Sequence, residues 1–168
     1  MAIQAARAPM PIQHVPPFEK FLAAASLVLL SAALVAIFKG RADWGKLPLP
    51  IWGHLATILV ALILTPVMLL RRRGDARHRL LGYVWVGAML LTALITFDVH
   101  VSNPGGFSII HLLSLWTLIQ VPLIVLSARA HNVVRHRRAV RGMVTGALLI
   151  AGFFTFPFGR LLGTWLFS

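Results

Sequence analysis

Five apolar stretches, residues 21–38, 51–70, 80–97, 107–128 and 142–159, contain no Asp, Glu, Lys or Arg. The shortest is 18 residues. As a helix rising about 1.5 Å per residue it would reach about 27 Å, close to the thickness of a bilayer's hydrocarbon core. Within lipid every backbone N–H and C=O must be paired inside the segment, so stretches of this length are expected as helices. The expected fold is an all-α integral membrane protein with a bundle of five transmembrane helices. Composition agrees: 58% of the residues are apolar and 12% charged, against about 45–50% and about 25% in soluble domains. A soluble fold of 168 residues could not bury that much apolar surface.

The first stretch could serve as a signal peptide. Its apolar run starts only at Phe21, however, and Ala36-Ile37-Phe38-Lys39 offers no small-residue cleavage site. It is read as a retained helix.

A net charge of +12 raises the question of nucleic acid, and its distribution answers it. The basic residues collect in short runs between apolar stretches, which is how topology is encoded, and no basic soluble domain remains to hold a nucleic acid. The arm ahead of Phe21, the loop Arg71–Arg79 and the loop Arg129–Arg141 share one side and carry twelve Lys and Arg. The opposite side carries four: Lys39, Arg41, Lys46 and Arg160. The positive-inside rule then predicts a cytoplasmic N-terminus and a periplasmic C-terminus. On the inner side Arg71, Arg72, Arg73, Arg137 and Arg138 are expected to contact anionic lipid head groups.

Smaller signals refine the picture. Trp44, Trp52 and Trp165 fall near predicted span ends, where amphipathic rings favour the interface. Gly142-x-x-x-Gly146 and Ala32-x-x-x-Ala36 offer small-residue faces for close helix packing. Pro66, Pro122 and Pro157 lie within the stretches and predict kinks or breaks. The arm 1–20, with Pro9, Pro11, Pro16 and Pro17, is not expected to form a stable helix. Residues 159–168 could continue the last helix or turn back along the outer surface.

Catalytic chemistry is sparse. With no cysteine, disulfides, thiolate metal sites, iron–sulfur clusters and covalent haem attachment are excluded. The four carboxylates, Glu19, Asp43, Asp75 and Asp98, are far apart in sequence, which gives no support to a hydrolytic pair. No catalytic residue is assigned, and the chain reads as a non-enzyme.

Histidine is the remaining candidate. His14 lies in the arm, His54, His100 and His111 fall near outer span ends, and His78, His131 and His136 fall on the inner side. Haem b between paired imidazoles is one reading, with His54, His100 and His111 outside and His78 with His136 inside. Arg79 or Arg137 would then pair with propionates. Three imidazoles could instead hold zinc or copper. The bland alternative is that these histidines cap helix ends or pair with head groups and carbonyls. Their placement at the span boundaries favours it, because haem ligands usually lie a turn or more inside. Asp98 could orient His100 or be a solvated charge at a helix end.

One resemblance emerges from longer motifs. These are His54-Leu-Ala, His78-Arg-Leu-Leu-Gly-Tyr-Val-Trp-Val-Gly-Ala-Met, Gly106-Phe-Ser-Ile-Ile-His-Leu-Leu-Ser, His136-Arg-Arg, Arg141-Gly-Met-Val-Thr-Gly-Ala-Leu-Leu-Ile-Ala-Gly-Phe-Phe-Thr-Phe and Gly159-Arg160. In them the chain resembles a family of predicted bacterial membrane proteins known only as a domain of unknown function. The resemblance implies a four-helix unit over 51–168 with His54, His78, His100, His111 and His136 as recurrent histidines, and places the protein in a bacterial inner membrane. It supplies no activity. Val140 departs from the family's usual methionine, and the arm and helix 21–38 are additions. The resulting expectation is an accessory subunit of a larger respiratory or photosynthetic membrane complex, the alternative a b-type cytochrome carrying electrons across the membrane.

Overall fold

A computed structural model describes residues 15–97 and 109–168, with side chains over 15–97 and 111–168. His14, Asp98 and His100, and with them the possible Asp98–His100 pairing, lie outside the described residues. All regular structure among the described residues is helical. Helix α1 is Pro17–Lys39, followed by a 3-10 segment Gly40–Lys46. Next come α2 (Leu49–Leu70), α3 (Ala76–Thr96) and α4 (Ile109–Arg129). A final rod runs from α5 (Val133–Met143) through a π-helical stretch Val144–Ile150 into α6 (Ala151–Phe153), and a short α7 (Leu161–Phe167) ends the chain. Four segments are long and apolar enough to cross a membrane: Pro17–Lys46, Leu49–Leu70, Ala76–Thr96 and His111–Arg129.

Two expectations about boundaries are corrected. The first helix starts at Pro17 instead of 21, so the end of the arm is helical. Proline at the first helical position has the right φ and no N–H that the helix needs, and extended Pro16 precedes it as the cap. The second correction concerns 142–159. Its helix starts in the arginine-rich loop at Val133, where the Asn132 side chain accepts the Arg135 N–H at 3.0 Å. It stops at Phe153. Pro157 therefore lies in a turn beyond the helix, where Phe158 and Gly159 adopt positive φ. Pro66 and Pro122 do lie inside helices, and α2 and α4 run on through both.

Adjacent helices pack antiparallel. One core joins α1 to the rest, with Leu22 and Ala23 against Leu62, Met89, Ile124, Met143 and Leu148. The helix that reads in the sequence as an addition thus shares the bundle's main core. Trp85 crosses this core and donates its indole N–H to Thr65 Oγ1 at 2.9 Å, which satisfies a donor that would be costly to bury alone.

A second core, Ala33, Ala36, Leu55, Leu162 and Trp165, closes the far end. There α7 folds back onto the end of α1, which decides the question left open for 159–168. The approach is too close for larger residues. A Cβ on Gly40 would sit 2.0 Å from the Trp165 ring, and one on Gly163 would sit 1.6 Å from the Phe156 carbonyl oxygen. The Trp165 indole donates to Asp43 at 3.3 Å, Trp44 donates to the Ile37 carbonyl at 3.0 Å, and Lys39 donates to the Leu166 carbonyl at 2.6 Å. Trp44, Trp52 and Trp165 share this end, where Trp44 and Trp52 meet edge to face. Of the small-residue faces, Ala36 is fully buried and Gly146 lies under Trp116.

Candidate functional site: two polar ends and an apolar cavity

At one end the two basic loops, Arg71–Arg79 and Arg129–Arg141, converge on a single carboxylate. Glu19, in the first turn of α1, is only 2% exposed. It accepts hydrogen bonds from Arg73, from Arg137 Nη2 at 3.2 Å and from Arg141 Nη2 at 2.9 Å. Arg73 also donates to the Leu69 carbonyl at 3.1 Å, and the Arg141 guanidinium lies over the Phe18 ring. Beside this cluster Asp75 caps α3 by accepting the His78 N–H at 2.6 Å and pairs with Arg71 at 3.0 Å. The capping N–H, followed by Arg71, holds the Asp75 carboxyl below its ordinary pKa. Gly74 makes the tight turn between α2 and α3 with positive φ.

Five arginines were expected at lipid head groups, and the structure divides them. Arg73 and Arg137 turn inward to Glu19 and Arg71 turns to Asp75, while Arg72 and Arg138 are exposed. Of the arginines offered as propionate partners, Arg79 donates to the Gly74 carbonyl at 3.0 Å and Arg137 donates to Glu19.

His78, in the first turn of α3, and His136, beside the Glu19-facing Arg137 in α5, both lie at this end. The His136 Nδ1 lies 3.0 Å from the Ile124 carbonyl. A carbonyl can only accept, so Nδ1 carries the proton and Nε2 keeps its lone pair. His131 has a different use. It adopts positive φ just past α4, and Asn132 N–H returns to the Ser127 carbonyl at 2.9 Å, closing the helix in a Schellman-type turn.

The other end is built from hydroxyls. Thr57 donates to the Gly53 and His54 carbonyls at 3.0 Å, and Thr92 donates to Thr57 at 2.7 Å. Thr96 Oγ1 lies 2.7 Å from the Thr92 carbonyl and 3.1 Å from His54 Nδ1. The single Thr96 proton can go either to the Thr92 carbonyl or to His54 Nδ1, and in both cases Thr96 holds that nitrogen of the imidazole. The Nε2 of His54 is the ring nitrogen outside this contact. His111 is 7% exposed and packs against Phe97, with ring centroids 5.8 Å apart.

Between these ends lies a cavity of about 1190 Å³. Its walls are aliphatic and aromatic, contributed by α1, α2, α3, α4 and the segment from the π stretch to α7. His54, Thr92, Thr96, Ser114, Thr117, Thr155 and Arg160 supply the polar points of its lining. Residues Gly146–Leu148 and Ile150 of the π stretch face it, in keeping with the tendency of π turns to border functional sites. Among the described residues no group of three His, Cys, Asp or Glu side chains is placed to hold a metal ion. The outer histidine trio needed His100, which falls outside them.

Sequence reasoning passed over Glu19, counting it only as an isolated carboxylate. Its signal was present, since it is the sole glutamate of the chain, two residues ahead of an apolar stretch and on the side that holds the arginines. No protein-family model, curated protein or solved structure matches the chain.

Proposed function

We propose that this protein is a small, non-catalytic, multi-pass accessory subunit of a larger bacterial inner-membrane assembly, respiratory or photosynthetic in type. In this reading it holds an apolar molecule with an oxygen-bearing head group. The observation that carries the reading is the cavity, large and apolar, with its polar points led by the His54 imidazole, which Thr96 holds through Nδ1. Ligand sites of about 300–1,000 Å³ commonly combine apolar walls with a few placed polar groups. Here the His54 Nε2 can exchange a hydrogen bond with a ligand hydroxyl, and Thr96 holds the ring through Nδ1 at 3.1 Å. A quinol is the simplest ligand of this kind. The α5–α6 rod serves as the fifth span, and the arginine end faces the cytoplasm by the positive-inside rule.

The test is purification of the full chain in mild detergent from its native membrane, followed by mass spectrometry of the solvent-extracted ligand and of co-purifying subunits. A stoichiometric apolar ligand that is lost in His54→Ala, in company with other subunits, is the expected result. A ligand-free monomer under the same conditions would overturn the reading.

A second reading, a b-type haem protein, draws support from His78 and His136 lying at the same end of the bundle and from the His136 Nδ1 bond to the Ile124 carbonyl, which leaves Nε2 outside that bond. When bound, haem would supply one-electron chemistry, and His136 would need no change of tautomer to hold it. A Soret band abolished by His136→Ala would favour this reading, and a colourless preparation after haem-replete expression would remove it.

A further inference from the structure

The basic end is over-supplied with positive charge. Glu19 faces Arg73, Arg137 and Arg141, and Asp75 faces Arg71. Two carboxylates thus balance four guanidiniums, leaving a surplus of two. The Arg71 and Arg73 side chains are 22% and 13% exposed, so water screens the surplus poorly and a further anion would relieve it.

Unpartnered polar atoms mark where such an anion would sit. Among the described residues, three buried side-chain polar atoms have no hydrogen-bond partner: Arg71 Nε, Arg73 Nη1 and His78 Nδ1. All three belong to one short segment, the turn from α2 into the first turn of α3. Carboxylates occupy the other faces of the two guanidiniums, through Nη2 in each case. The two unpartnered guanidinium N–H groups, with the His78 ring on the same segment, suit an anion with several oxygens.

We propose that this cluster binds a phosphate oxyanion, with Arg71 and Arg73 as charged donors and His78, in its Nδ1–H tautomer, as a third. The phosphate comes either from a lipid head group, since the cluster lies at the end of the apolar spans, or from a free anion. This differs from diffuse attraction of arginines to an anionic surface because it singles out Arg71 and Arg73 over exposed Arg72. It also stands apart from the apolar-ligand reading, which concerns the cavity.

The experiment uses the full chain, stripped of lipid in detergent and titrated by native mass spectrometry with phosphatidylglycerol, phosphatidylcholine and inorganic phosphate separately. Loss of one charge-assisted donor is expected to weaken retention about tenfold in Arg71→Gln. Exposed Arg72→Gln removes the same charge and is expected to change retention by less than about twofold. Should Arg71→Gln fail to fold, Arg71→Lys keeps the charge beside Asp75 and removes Nε, and the same loss is expected. Retention of phosphatidylglycerol against excess inorganic phosphate assigns the site to a lipid head group, and displacement assigns it to a free anion. Equal losses in the Arg71 and Arg72 variants, or no retention of either phosphate-bearing anion, would overturn the proposal.

Discussion

The two ends of this bundle solve the same problem, holding helices together where the apolar spans stop, by opposite chemistries. At the Glu19 end, side chains from α1, the α2–α3 turn and α5 are tied by charge, through one buried carboxylate and three guanidiniums. At the His54 end, α2 and α3 are joined by neutral hydroxyls that lean on backbone carbonyls, and α7 is seated by close glycine contacts. The charged end concentrates its stability in one residue. The neutral end spreads it over many weak contacts, so single deletions there should matter less.

Breaking the charged end is therefore expected to have the largest effect. Glu19→Ala leaves three arginines without their shared counter-ion, and losses of about 3–5 kcal/mol follow from removing one partner of a buried ion cluster. A large drop in the thermal midpoint in detergent would register it. If Glu19→Ala matches wild type, the charged end is not the keystone proposed here.

At the opposite end Gly163→Ala must push the Phe156 backbone away. A cost of about 1–3 kcal/mol is expected, along with faster proteolysis of the chain after Phe156. Smaller still is Thr92→Val, which removes a hydroxyl bridge between α2 and α3. Hydrogen bonds between membrane helices average about 0.6 kcal/mol, so a midpoint shift of a degree or two is expected. A larger loss than that of Glu19→Ala would invert the comparison.

The smallest effect sharpens the contrast by pH. Asp75 has a folded pKa below its ordinary value, chiefly because its carboxylate accepts the His78 N–H. Its contribution is thus complete above the ordinary carboxylate range and disappears as pH falls through the lowered folded value. Acid titration of the midpoint below about pH 4 should show this loss in wild type and lack it in Asp75→Asn, with no difference between the two slopes near neutrality.

Four of the five apolar stretches were legible as long helices because hydropathy averaged over a long window does not depend on any one contact. The grouping of the basic loops was legible for a related reason, and the structure brings Arg73, Arg137 and Arg141 to one carboxylate. Boundaries set by single residues were less so. Pro17 reads as a breaker until it is seen at the first helical position, where it costs nothing. Pro157 looked interior because 142–159 is apolar throughout, yet the helix ends at Phe153. The tautomer of His54 could not be read from sequence at all. It depends on where the single proton of Thr96 goes, across 42 residues of separation.

The Glu19 cluster also bears on the order of biogenesis. Its carboxylate lies in α1, ahead of its arginine partners in the order of synthesis, and Arg137 and Arg141 follow 118 and 122 residues later. At about 5–20 residues per second, that separation is on the order of ten seconds of synthesis. Through that interval α1 can meet Arg73 but not the other two, so the nascent chain carries an incompletely neutralised Glu19 carboxylate. Helix α5 is then what completes the cluster on α1, and a chain stalled before Val133 would offer quality-control proteases a bundle that has not closed.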